Sequence, residues 1–373
     1  MIGRKAMWLH SFLAALLLLT AGMSARPTHQ SSLTFPPPTR GFGTQQLQQT
    51  TIELGAGHLS EPYGSSWCPA TVRLNQHLPT WSHGYLAQLA EGNFPLDVNV
   101  YDPQCKQVSA THITIPGLTG IGLLAAVPAM DGNAIVSGIA NTNPGHTYFL
   151  AKTSTSGGVA SVLRTEAFMA RRMCEASDHT VWTLGRDQEK EYAHDDSYPL
   201  VQQYSFEKGL LHSYLSKAAA GLSNTQMVGL SSKSGGLLVC RRERISLYFN
   251  ETNKYIEIDP STDSLKQWKM DAKPFAQGMV SQLAVTEKGG VYASLFEDRQ
   301  TETERRFWRG LFELRLEPNS GSGRWSLVNG TLDSYDPEDP PKGAFFKLWG
   351  ADGEDLVIRR LYDADMSWVR VIP

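Results

Sequence analysis

Long helical periodicity is missing from this 373-residue chain, apart from one apolar run near its N-terminus, so strands have to build the fold. Charge of one sign is missing too. The 34 basic and 37 acidic residues are mixed along the sequence to a net charge of −3. No basic stripe offers a phosphate-tracking surface, which argues against nucleic acid as a partner. Only four cysteines occur, Cys68, Cys105, Cys174 and Cys240, and no two stand at C-x-x-C spacing, so neither a redox motif nor a zinc site is indicated. Catalytic signatures are absent as well: there is no G-x-S-x-G elbow, no H-E-x-x-H, no G-x-x-x-x-G-K-[ST] and no strand-linked G-x-G-x-x-G. With no motif left that requires catalysis, the chain reads as a binding protein rather than an enzyme.

What is present is enough to bury a core: 41% hydrophobic residues, with 10% aromatic. The N-terminus reads as a targeting segment. Arg4 and Lys5 precede the apolar run Phe12–Leu19, and small residues follow at Ala21, Gly22, Ser24 and Ala25. That run is shorter than the roughly 20 residues a membrane anchor needs. Residues 1–25 are therefore expected to be a signal peptide, the mature chain secreted or periplasmic, with no transmembrane anchor and as a monomer. Residues 26–46, rich in Pro, Ser and Gln, read as a flexible tether before a domain spanning 47–373. In an exported protein four cysteines permit two disulfides, by any of three pairings; buried thiols are the alternative.

A tight turn followed by a buried apolar strand recurs along the chain: MDGNAIV (130–136), SDHTVW (177–182), SGGLLV (234–239), KGGVYA (288–293) and DGEDLVI (352–358). A second hairpin is interleaved with it, in VNVYDPQCKQV (98–108), YIEIDPSTDSLKQW (255–268) and FELRLEPNSGSGRW (312–325). Two hairpins per repeat make one four-stranded sheet, and such sheets arrayed radially make a β-propeller. Six blades fit the length, with seven as the alternative should 47–91 hold a whole blade. The fourth blade is expected to run from an inner strand near 226–231 through 236–249, 254–259 and 264–270. Only three strands remain for the last blade, and the expected donor of the fourth is Leu47–Leu54, pairing around Ser367–Ile372.

Asp131-Gly132, Ser234-Gly235-Gly236, Lys288-Gly289-Gly290, Asp352-Gly353 and the hairpin Ile258-Asp259-Pro260-Ser261-Thr262 resemble the repeats of NHL-type, streptogramin-lyase-like and gluconolactonase-like six-bladed propellers. The resemblance covers most of 67–373. Gluconolactonase-like enzymes hold calcium in the channel with acidic and amide side chains from several blades. That implies an alternative function, a metal-dependent hydrolase, lactonase or lyase working in the channel with calcium. No such ligand set can be matched here residue by residue, so no catalytic residue and no metal ligand is carried over, and no cofactor is expected.

In a blade, turns joining strands one–two and three–four share one side of the ring, while the other links share the opposite side. Nearly all the long insertions fall in the second set: 140–146, 187–198, 297–309 and 329–343. Long loops on one rim of a rigid ring are where function gathers. The expected ligand-binding residues are Tyr192, His194, Asp195, Asp196, Arg305, Arg306, Trp308 and Tyr335, facing a peptide, glycan or protein. Two bland readings compete. His194, Asp195 and Asp196 can simply be a solvated loop, and Phe307 and Trp308 can begin a blade strand and pack. Tyr198 stands with the rim residues. Asn250 and Asn329 each begin an N-glycosylation pattern.

Overall fold

The computed structural model describes residues 53–372 except 55–57, 61–62, 68–78, 91–94, 143–144, 224–235, 276, 301–304, 336–345 and 361–364. The expected signal peptide and tether lie outside the described residues. The fold is all-β, built of antiparallel four-stranded sheets in a propeller arrangement. The first sheet comprises Thr80–Ser82, Tyr85–Leu89, Asp97–Tyr101 and Gln107–His112; the second Thr119–Pro128, Ala134–Asn141, His146–Thr153 and Val159–Glu166. The third holds Phe168–Glu175, Val181–Asp187, Pro199–Ser205 and Gly209–Ser216. Gly236–Arg241, Arg244–Phe249, Lys254–Asp259 and Ser264–Met270 form the fourth quartet; Met279–Val285, Val291–Gln300, Arg305–Glu317 and Ser322–Tyr335 form the fifth. These two merge through a short parallel pairing of their outer strands, Lys269–Met270 beside Ser322–Gly323. The last sheet contains Phe346–Asp352, Asp355–Arg360 and Asp365–Ile372.

Burial follows strand position. Second strands are buried almost throughout, as in the run Ala134–Asn141, and their sequences are continuous apolar runs. Fourth strands alternate half-buried with exposed residues, as in Val159–Glu166, because one face meets water. The first strand of each quartet packs on the first strand of the next, and Phe346–Asp352 packs back on Thr80–Ser82. The largest core cluster fills the space between the third and fourth sheets with Trp182, Tyr198, Leu200, Ile245, Leu247, Phe249, Ile256 and Ile258. There the Cys174–Cys240 disulfide joins the two first strands across 66 residues of sequence. A loop of that length gives about 4 kcal/mol of stabilisation in the chain-entropy account. Cys105 is disulfide-bonded as well.

Two sequence expectations are corrected. The last sheet is completed by N-terminal residues other than the described end of the expected strand, Glu53-Leu54; 47–52 lies outside the described residues. His58–Leu59 pairs with Ile372 and Val371, and Tyr63–Trp67 pairs along Asp365–Trp368, both antiparallel. Glu53–Leu54 runs parallel to Ser326–Leu327 at the outer edge of the fifth quartet instead. Local alternation favours Leu47–Leu54 over the Gly- and Ser-containing Tyr63–Trp67, and the register against Asp365–Ile372 overrides it.

In the fourth quartet the third and fourth strands lie where expected, the expected inner strand near 226–231 lies outside the described residues, and the first two strands differ from expectation. Its inner strand is Gly236–Arg241, and the stretch 236–249 turns back at Arg242-Glu243 rather than running as one strand. The first hairpin of every quartet needs a left-handed residue: His83 and Gly84, Gly132, His179, Gly289, Gly353, and here Arg242 at φ 49°. Because arginine fills the position that glycine marks in most of the other hairpins, the residue types there do not announce a turn.

Antiparallel alternation puts these six hairpins on one side of the ring, the turn face, where they are laced together. The Met130 N–H donates to Glu175 Oε2 at 2.6 Å, the Ser177 N–H to the Arg242 carbonyl at 3.4 Å, and Arg241 Nη1 to the Thr286 carbonyl at 3.2 Å. The Glu287 N–H then donates to the Gly353 carbonyl at 2.9 Å, and the Lys288 N–H to Glu354 Oε1 at 2.6 Å. Glu175 is 1% exposed and also faces Lys152 at 3.5 Å and His179 at 3.3 Å.

Candidate functional site

The link 187–198 leaves the opposite side, the long-link face. Asp187 caps a one-turn helix, Gln188–Tyr192, accepting the Lys190 N–H at 3.0 Å. The helix ends in a Schellman motif: the His194 N–H donates to the Glu191 carbonyl at 3.2 Å and the Asp195 N–H to the Lys190 carbonyl at 2.9 Å. His194 therefore occupies the left-handed position, at φ 55°, usually filled by glycine. Asp195 accepts the Ser197 N–H at 2.9 Å, and its bonds from Ser197 hold its carboxyl below the usual range.

Beneath the turn lies a buried polar knot. Lys217 Nζ stands 2.9 Å from Glu191 Oε2 and 2.7 Å from Asp196 Oδ1, and the Tyr198 hydroxyl donates to Glu191. Lys217 is 4% exposed, Glu191 9%, and Tyr198 fully buried. Burial would lower the Lys217 pKa, but the two carboxylates outweigh it and raise it. Burial and then the Glu191 bond push the Tyr198 phenol well above its ordinary value. Among the expected site residues, then, Asp196 serves to pin the link, and Tyr198 belongs to the core. His194, Asp195 and Asp196 take three separate jobs and do not converge.

Tyr192 projects outward from this base. It is 73% exposed, the most exposed of the large hydrophobic side chains among the described residues, with its hydroxyl 3.2 Å from Gln188 Nε2. Arg171, Arg186 and Tyr148 share its electrostatic neighbourhood. Arg171 bulges from the first strand of the third sheet, between Ala170 and Arg172. Burial, reinforced by the like charge of Arg186, lowers its pKa to about 10. Its Nε donates to Met169 Sδ at 3.0 Å.

The fifth quartet changes the reading of 297–300, 305–309 and 329–335, while 301–304 and 336–343 lie outside the described residues. Arg305, Arg306 and Trp308 lie in the third strand, Arg305–Glu317, and Tyr335 ends the fourth, Ser322–Tyr335. Expected as loop residues, they extend the sheet instead: Gln300 pairs with Arg305, Arg299 with Arg306, Glu297 with Trp308, and Phe307 with Tyr335. These strands are 13 and 14 residues long, against six or seven in the fourth quartet, so a ribbon continues past the sheet's body on the long-link side. The strand reading of Phe307 and Trp308 holds for the backbone. Sequence gave no sign of the Lys217 knot, whose members are spread over 26 residues, nor of the Arg171 bulge.

Among the described residues, no three His, Cys, Asp or Glu side chains gather in a metal-binding group, and no helix is long and apolar enough to cross a membrane.

No protein-family model and no curated protein matches the chain. Among solved structures it is similar to a luciferin-regenerating enzyme, at 13% identity over 80% of this chain and 91% of that one, TM-score 0.39. It is likewise similar to the Dos1 propeller, at 9% identity over 81% and 82%, TM-score 0.39. The RRP9 WD40 repeats match at 9% identity over 84% and 100%, TM-score 0.39. At such scores these neighbours supply no functional residue, and the fold description rests on the strand pairings alone.

Proposed function

We propose that the chain is an exported, six-bladed, non-catalytic propeller that binds a peptide or protein partner on its long-link face. One observation carries this reading: Tyr192 is displayed at 73% exposure on a turn anchored by the buried Glu191–Lys217–Asp196 knot. Burying such a group is costly unless every charge is matched, and removing one partner costs about 3–5 kcal/mol. A link fastened that firmly presents its aromatic residue already ordered, which reduces the entropy lost on binding. Tyrosine and arginine are the residues that dominate interfaces, and half-buried Arg171 shares the electrostatic neighbourhood of Tyr148 with Tyr192. Arg305, Arg306, Trp308 and Tyr335 join the same rim through the extended ribbon of the fifth quartet.

The six-blade reading is supported by the succession of first-strand contacts, from Thr80–Ser82 round to Phe346–Asp352. The Cys174–Cys240 disulfide supports an oxidising destination, as the N-terminal segment does. The test is a peptide array probed with the purified chain, followed by hydrogen exchange with the selected peptide. Slowed exchange is expected in 187–198 and 305–309. Slowing confined to the turns at 260–263 and 288–290 would place recognition on the other face.

A further inference from the structure

On the turn face, between the third and fourth sheets, a cleft of about 270 Å³ opens beside the hairpin turns Ala176–Asp178 and Arg242-Glu243. We propose that this cleft is a second binding site, distinct from the long-link rim, and that its ligand is one neutral pyranose ring, free or at the end of a glycan. Ligand clefts start at about 300 Å³, so this one suits a single small ring rather than a chain.

Its wall is one cross-strand row. Cys174 pairs with Trp182, Trp182 with Gln203 and Gln203 with His212, so these side chains share one face of the third sheet. The disulfide to Cys240 fixes that face toward the fourth sheet. At the centre of the row stands Gln203, 5% exposed. Its orientation is set by a chain of bonds. The Thr180 hydroxyl spends its one proton on Asp178 Oδ1, at 2.6 Å, and can only accept from the Gln203 amide nitrogen, at 3.0 Å. Gln203 Oε1 is therefore the atom left over, and it is buried with no hydrogen-bond partner among the described residues. A buried acceptor without a donor costs about 1–3 kcal/mol, which a ligand O–H or N–H would recover.

The surroundings select the hydroxyl. Tyr214 is half-buried and stacks on Trp182 at 5.2 Å, with His212 tilted against it at 6.1 Å. That gives an aromatic platform for the C–H face of a sugar ring. Glu243 adds a carboxylate acceptor at the rim, and with Asp178 it disfavours an anion; Arg242, also at the rim, offsets the charge that would call for a cation. Acceptors around an aromatic floor fit a ring with several hydroxyl donors.

The experiment titrates the full chain with the methyl α- and β-pyranosides of glucose, galactose and mannose, read by saturation-transfer NMR. At least one should bind saturably, with Kd below about 10 mM. Glu243→Gln and Gln203→Leu should each weaken it by about tenfold, one hydrogen bond's worth. Should Gln203→Leu fail to fold, exposed His212→Ala replaces it, with the same loss expected. Oligosaccharides ending in the selected sugar separate the two sources: tighter binding identifies a glycan end, weaker binding the free sugar. The proposal is overturned if no pyranoside binds at about 50 mM, if a bound one ignores Glu243→Gln and His212→Ala alike, or if tetramethylammonium outcompetes it.

Discussion

The two sides of the ring are built differently. On the turn face, each first hairpin is short, two or five residues with a left-handed residue among them, and neighbours are tied by backbone donors to the next turn: Met130 to Glu175, Ser177 to Arg242, Glu287 to Gly353. The side chain of His83 even reaches from the first sheet to the carbonyl of Glu175 in the third, at 2.9 Å. On the long-link face, order is local. One link carries its own helix, cap, Schellman end and buried knot, and one sheet extends as a ribbon. The lesson is a division of labour: bonds between neighbouring turns hold the ring's shape, which leaves the opposite links to differ from each other without loosening it.

That contrast can be broken from either side. The largest effect expected is on the joint between the third and fourth sheets. Replacing Cys174 and Cys240 together with serine should lower unfolding free energy by about 4 kcal/mol, read as a fall in denaturant midpoint. Lys217→Met should follow at about 3 kcal/mol, because it strands Glu191 and Asp196 as desolvated carboxylates. If the knot serves the link alone, hydrogen exchange in the variant should rise across 187–198 more than on the turn face. Glu175→Ala should cost about 2 kcal/mol, leaving the Met130 N–H unsatisfied and the lacing of the second and third sheets weakened. By contrast Tyr192→Ala should change stability by no more than about 0.5 kcal/mol, since the side chain faces solvent.

The smallest effect concerns acid. Burial works against ionisation of Asp131, but its bonds from Lys152 and Asn133 prevail and hold its pKa below the usual value. A carboxyl lowered on folding adds stability that is complete above its unfolded pKa of about 4 and is lost as pH falls through the folded value. The chain should therefore lose a few tenths of a kcal/mol below about pH 4 through this group, half-exposed as it is, and Asp131→Asn should remove that slope.

Much of this architecture could be read from the sequence, and the failures have physical causes. Turn chemistry and apolar alternation locate the strands of the second, third and fifth quartets, because Gly132, Asp178 and Gly289 punctuate them, and the outer two strands of the first. The fourth slipped because Arg242 adopts the left-handed turn without glycine to announce it. The expected closing strand lies one segment early because Leu47–Leu54 carries the stronger local signal, whereas the pairing of Gly- and Ser-containing Tyr63–Trp67 with Asp365–Trp368 is a tertiary choice. Cysteine pairing was open among three schemes until the first strands of the third and fourth sheets proved adjacent. At the rim, residue types suggest contact surfaces but not their roles: Asp196 is spent on Lys217, exposed His194 on ending a helix, and Tyr198 on the core, while Tyr192 is displayed as an aromatic side chain.

The most direct test of the two-faced account sets one residue of each face against the other. For a peptide selected on the native chain, Kd is measured by calorimetry for the native protein, Tyr192→Ala and Glu243→Gln. The account predicts a loss of more than about 1 kcal/mol for Tyr192→Ala and none for Glu243→Gln. The reverse pattern, with Glu243→Gln weakened and Tyr192→Ala unchanged, would contradict it and move recognition to the turn face.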